Sequence, residues 1–133
     1  MMLSFLLVGL GGAIGAMARL AMNLLLARAV LFVPLGTFAS NLLGCFVMGL
    51  VIQALANPAW FNHSDALTQQ HRLLFAVGFC GSFTTLSALV FEMSTLLERG
   101  QVAPAFAYLC ATLIGGFASF YAGAAILRSV VQG

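Results

Sequence analysis

The polar residues of this chain stand in stretches otherwise too apolar for water, and each offers chemistry that lipid cannot. The densest group is Gly78-Phe79-Cys80-Gly81-Ser82-Phe83-Thr84-Thr85-Leu86-Ser87-Ala88-Leu89, a cluster of glycine and hydroxyl residues at the centre of a hydrophobic segment. Glycine and β-branched threonine are indifferent helix formers, so the cluster predicts a helix interrupted there. Backbone freed inside a membrane must be buried in protein or line water. Freed carbonyls suit a small cation; freed amides and hydroxyls suit an anion. The competing reading is an unbroken helix whose hydroxyls bond back to preceding carbonyls. Glu92 follows a turn or two further on, a second ionisable group within an apolar stretch. Asn41 must find hydrogen bonds, either by tying two helices together or by lining a hydrated cavity. Tyr108 and Thr112 are spaced i, i+4 with Gly116 on the same face, which makes a hydrogen-bonded seam or one wall of a pathway. Arg19 is costly in its stretch unless it reaches a partner, water or the interface.

These residues need apolar elements to position them. The chain has 133 residues, 62% hydrophobic and only 6% charged, against about 25% charged in soluble domains. Four stretches, Leu3–Ala27, Val33–Ala56, Leu73–Leu97 and Val102–Leu127, are each long enough to cross a hydrocarbon core of about 30 Å as a helix. The sequence therefore describes a single-domain, all-α membrane protein over residues 1–133, with four transmembrane helices and the third interrupted at mid-membrane. The first stretch lacks a basic leader and runs past the length of a signal-peptide core, so it reads as structure and the mature protein as the whole chain. Gly11/Gly15 and Gly12/Ala16 in it predict close backbone approach to a neighbour. The net charge of +2 comes with five scattered arginines and no lysine, which gives nucleic-acid binding no support. Cys45, Cys80 and Cys110 fall in different stretches without paired spacing and read as small buried thiols. In the long polar join from Asn57 to His71, Trp60 suits a membrane interface, Ser64 or Asp65 suits a helix cap, and His63 and His71 are assigned no chemistry.

Arginines near the span ends tie, Arg28 and Arg99 on one side and Arg72 and Arg128 on the other. A tie removes the charge bias that sets orientation. It predicts that one chain inserts both ways and pairs with its inverted copy as an antiparallel homodimer. A bundle of four helices is also too thin to enclose a pathway alone.

Taken jointly, Gly11-Gly12-Ala13-Ile14-Gly15-Ala16-Met17-Ala18-Arg19, Pro34-Leu35-Gly36-Thr37 with Asn41-Leu42-Leu43-Gly44, and Gly78 to Thr85 followed by Glu92 resemble the Fluc (CrcB) family of fluoride channels through all four spans. The resemblance implies an antiparallel, dual-topology dimer in the bacterial inner membrane, with two pores that conduct fluoride passively and lower cytoplasmic fluoride. It implies one central structural sodium ion held by backbone carbonyls, for which Gly81 and Thr84 are the matching positions. It places Arg19 and Asn41 near an aqueous vestibule, with Glu92 a vestibule or structural residue, and Tyr108 and Thr112 on a polar track. Asn41, Ser87, Tyr108 and Thr112 are donors of the kind fluoride needs as its water is removed. A passive pore also needs binding weak enough, or spread widely enough, for release.

Four positions depart from the family's pattern. Leu86 and Leu89 stand where two phenylalanines are usual, Ala88 replaces a threonine, and Gly116 replaces the last hydroxyl of the track. Leucine has no aromatic quadrupole. Either fluoride takes a modified route, the reading favoured here, or a paralogous subunit supplies the rings, or activity is altered or lost. The rival from another class, a small multidrug-type dual-topology transporter, requires a membrane-embedded carboxylate in the first span, which has only Arg19. An enzyme is not indicated, because no nucleophile, base and orienter or metal-ligand spacing appears. A non-conducting accessory subunit is the remaining alternative.

Overall fold

The structure, a computed structural model, describes residues 1–27, 34–57 and 65–132. Arg28, Trp60, His63 and Ser64 lie outside the described residues. Among the described residues, four helical spans are long and apolar enough to cross a membrane: Met2–Leu26, Leu35–Leu55, Asp65–Glu98 and the long fourth helix Val102–Gln132. Pro34 precedes the second helix with an extended backbone, and its carbonyl accepts from Phe38 N–H at 3.3 Å. Gly100, at φ 72°, turns the chain from the third span into the fourth. That conformation favours glycine because a Cβ is crowded there.

Two boundaries differ from the sequence expectation by more than two residues. The third span begins at Asp65 instead of Leu73, because the polar residues Asp65–His71 are themselves helical. Asp65 lies in the first turn, where a carboxylate complements the helix dipole. The fourth helix continues past Leu127 to Gln132, with no glycine or proline in that stretch to stop it.

The third span is not one regular helix. Asp65–His71 is α-helical, Arg72–Cys80 is wound as a π-helix, and Gly81–Phe83 is a single α turn. Thr84 (φ −80°, ψ 157°) and Thr85 (φ −152°, ψ 124°) are extended, and the α-helix Leu86–Glu98 follows. Thr84 closes the first piece, with its N–H at 3.0 Å and its hydroxyl at 2.9 Å both donating to the Cys80 carbonyl.

Small residues set the packing. The first helix lies against the π-helical segment, where a side chain on Gly11 would overlap the Leu74 carbonyl and one on Gly15 the Phe79 carbonyl. The Gly11/Gly15 pair thus forms the close seam that its spacing predicts. Ala16 does not join it, being exposed. The second and fourth helices form the other seam, with Gly49 against Phe120 and Ala124 and Gly123 against Phe46 and Leu50. Arg128 donates to Gln53 Oε1 at 3.4 Å and so brings the C-terminal ends of these two helices to one side. Between the second half of the third span and the fourth helix sits a small core of Leu89, Leu96, Ala105 and Tyr108. Leu6, Leu10, Met17 and Leu24 of the first helix remain exposed, as suits a surface solvated by lipid.

Replacing Gly49 with leucine is expected to cost about 1–3 kcal/mol by forcing the second and fourth helices apart. The measurement is the thermal midpoint in detergent. Gly9→Leu, at a position with open space around it, is the comparison expected to leave the midpoint unchanged.

Candidate functional site

The break at Thr84 and Thr85 is held from outside the span. Asn41, on the second helix, uses both ends of its amide on one residue: Oδ1 accepts from the Thr85 N–H at 2.7 Å, and Nδ2 donates to the Thr85 carbonyl at 3.1 Å. The side-chain amide takes the place of a neighbouring strand and satisfies the extended backbone where lipid could not. Thr85 in turn caps the following helix, its hydroxyl oxygen accepting from Ala88 N–H at 3.2 Å, the usual role of a threonine at that position. Gly44, one turn beyond Asn41, leaves room for the Thr84 methyl, which a side chain there would displace.

Nearby, Glu92 gathers two buried hydroxyls. Its Oε1 accepts from Thr37 at 2.6 Å and its Oε2 from Tyr108 at 2.8 Å, so that one carboxyl group joins the second helix, the third span and the fourth helix. Thr37 and Tyr108 are only 2% and 3% exposed, which leaves these hydroxyls no water as an alternative partner. Among the described residues, every buried side-chain nitrogen and oxygen has a hydrogen-bond partner.

A groove of about 470 Å³ opens beside the break. Of the residues singled out from sequence, the structure brings Asn41, Thr84, Leu86, Leu89 and Thr112 to it, together with Gly116. Leu89 is almost wholly buried at its base, whereas Leu86 is 69% exposed. Tyr108 is turned to Glu92 and Ser87 to the Thr85 hydroxyl at 3.2 Å; neither lines the groove. Arg19 and Gly81 lie away from it as well, Arg19 half-buried and without a hydrogen bond or ion pair to any described residue. Cys45 lines the groove and Cys80 is buried, but Cys110 is exposed, contrary to the expectation of a buried thiol, because it faces outward from the fourth helix. His71 bonds to the Leu67 carbonyl at 2.7 Å and stacks on Phe75.

Sequence reasoning missed Thr37 and the separate roles of Thr85. Thr37 lies one turn before Asn41, so helical spacing already put them on one face. Missed too were Phe117, Phe120 and Tyr121, which line the groove from the fourth helix. Nothing in their spacing set them apart from ordinary apolar residues.

The fold and site define a multi-pass helical membrane protein in which a broken helix is held open beside a mostly apolar groove that includes Asn41, Thr84, Thr85 and Thr112. Residues 6–124 match the family described as CrcB-like protein, Camphor Resistance (CrcB). Similar proteins include one from Chlorobium phaeobacteroides, 39% identical over 120 residues and covering 90% of this chain and 88% of that one. Another, from Mesorhizobium japonicum, is 40% identical over 130 residues, covering 97% of this chain and 99% of that one. A third, from Paracoccus denitrificans, is 37% identical over 128 residues, covering 96% of each chain. All three are named fluoride-specific ion channel FluC. The chain belongs to the CrcB family, a family of ion channels and not of enzymes.

Proposed function

We propose that this chain is a fluoride-selective passive channel of the bacterial inner membrane that lowers cytoplasmic fluoride, working as a dimer of two copies inserted in opposite orientations. The identity of the ion rests on the relatives, which are named for fluoride. The observation that carries the reading within this chain is the Asn41–Thr85 clamp, a buried amide holding open an interrupted helix at the edge of a groove. The interruption then lies near mid-membrane, where non-helical backbone is tolerated only beside protein or a water-filled path.

The same break suits a structural sodium ion at the dimer centre. Thr85 N–H goes to Asn41 and Ala88 N–H to the Thr85 hydroxyl, so the Gly81 and Thr84 carbonyls lose the donors that a continuous helix would give them. Such a carbonyl pair from each copy would hold the cation with hard oxygen ligands. Bound sodium supplies a positive charge that joins the two broken helices.

Asn41 and Thr112 remain the polar contacts of the path, with Arg19 at its vestibule, while Tyr108 and Glu92 brace the wall behind it. Ser87, beside the Thr85 cap, adds a hydroxyl at the break. Leu86 and Leu89 make this part of the route apolar, so the ion passes here without rings from the third span. Purified protein in liposomes, read with a fluoride electrode, is expected to release fluoride above the empty-liposome rate and to release no chloride. No fluoride release overturns the homodimeric reading, and release restored by a co-reconstituted paralogous chain assigns a heteromer.

A further inference from the structure

The groove contains fewer available donors than its composition suggests. Thr84 donates its hydroxyl hydrogen to the Cys80 carbonyl and Thr112 donates its own to the Tyr108 carbonyl, so both turn lone pairs outward. The Thr85 hydroxyl is held between Ala88 N–H and Ser87. Asn41 keeps one amide hydrogen beyond the one given to the Thr85 carbonyl. Among the described residues, no arginine or histidine lines the groove. An anion entering it meets mostly acceptor oxygens and hydrocarbon, and that is a barrier unless positive potential comes from elsewhere.

The fourth helix supplies it. Phe117, Phe120 and Tyr121 line the same groove. Phe120 and Tyr121 lie edge to face, their centroids 5.5 Å apart and their planes at 86°. Rings that are perpendicular cannot both turn their negative faces to the opening, so at least one offers its electropositive edge. Tyr121 is 66% exposed, and its hydroxyl makes no hydrogen bond to any described residue, so its hydrogen stays available to an ion. Phe117, one turn earlier on the same helix, is 67% exposed.

We infer that Phe117, Phe120 and Tyr121 are ion-contacting residues of the fluoride path, with ring edges and the Tyr121 hydroxyl providing the donors that the groove's own hydroxyls lack. This rests on the channel reading above. It also accounts for a groove that tolerates Leu86 and Leu89, because the aromatic wall stands on the opposite helix. A weak, distributed series of such contacts is what a conducting path needs, since a single strong cage would trap the ion.

The test is fluoride efflux from liposomes containing the full-length protein, with size-exclusion elution in detergent as the check on folding. Tyr121→Phe, which keeps the ring and removes the donor, is expected to slow efflux about tenfold, as befits one hydrogen bond to an ion. Phe117→Leu and Phe120→Leu are each expected to slow it about three- to tenfold. Phe120→Tyr, which keeps a ring edge, is expected to restore most of the rate. Wild-type efflux with all the leucine and Tyr121→Phe variants within about twofold of it overturns the inference and leaves the channel reading standing. Absence of efflux from the wild type, not restored by a co-reconstituted paralogous chain, overturns the channel reading and this inference together. A leucine variant that elutes as an aggregate is replaced by Phe→Met at the same position, which keeps the bulk and removes the ring, and the same slowing is expected.

Discussion

Replacing Asn41 with leucine is expected to unlatch the break in the third span and to abolish fluoride efflux. Leucine has nearly the shape of asparagine but can neither accept from the Thr85 N–H nor donate to the Thr85 carbonyl, bonds of 2.7 and 3.1 Å in the native chain. Thr85 is only 8% exposed, so water does not replace the lost partners. Orphaning a buried backbone group costs about 1–3 kcal/mol. The sum for two groups should fall near the lower end, about 2–4 kcal/mol, because a chain unfolded within lipid also satisfies its polar groups. Asn41→Asp keeps the acceptor for the N–H and sets an oxygen against the Thr85 carbonyl, so it should fall between wild type and leucine. Thermal midpoints in detergent give the stability ranking, and efflux from liposomes gives the functional one. A leucine variant with native midpoint and native efflux would show that the clamp holds nothing.

This clamp marks the limit of what the sequence reveals. The four spans were legible because each is a long apolar run, and composition leaves no other way to solvate it. Gly11 and Gly15 were legible because helical spacing fixes which small residues share a face. Asn41 was legible as a residue in need of partners, but not as the partner of Thr85, forty-four positions away. That pairing depends on how the second helix crosses the broken span, a tertiary fact with no periodic signature. The π-helical winding of Arg72–Cys80 is similar. Its residues form a plain apolar run, and what distinguishes them is the carbonyls of Leu74 and Phe79 facing glycines of another helix. Tyr108 shows the opposite failing. Its i, i+4 relation to Thr112 correctly put both on one buried face, yet the tyrosine hydroxyl goes to Glu92, behind the groove. Periodicity assigns a face, and a side chain long enough to reach past it can serve a different neighbour.

Glu92→Leu is the substitution expected to disturb the bundle most after Asn41, and its partners make the effect separable. The carboxyl group accepts from Thr37 and Tyr108, two hydroxyls on different helices that are both almost fully buried. Leucine leaves each with no acceptor, at about 1–3 kcal/mol per hydroxyl. Glutamine keeps an oxygen for one hydroxyl and offers its NH2 to the other, which can rotate to accept, so Glu92→Gln should cost less than half as much. The decisive variant removes all three polar groups at once. Thr37→Val, Glu92→Leu and Tyr108→Phe together leave nothing unpaired, and replacing every member of a hydrogen-bonded set by apolar groups of like shape is often close to neutral. The triple variant is therefore expected to be more stable than Glu92→Leu alone, a non-additivity that only mutual contact produces. Thermal midpoints of the single, double and triple variants in one detergent measure it. If the triple variant is instead less stable than Glu92→Leu, the node holds the three helices through its polarity and not merely by avoiding unpaired groups. Efflux adds a second readout, because Thr37 and Glu92 lie outside the groove. A triple variant that folds but has lost conduction would then locate the function of the node in fixing the angle of the fourth helix, from which Thr112 and the aromatic wall reach the path.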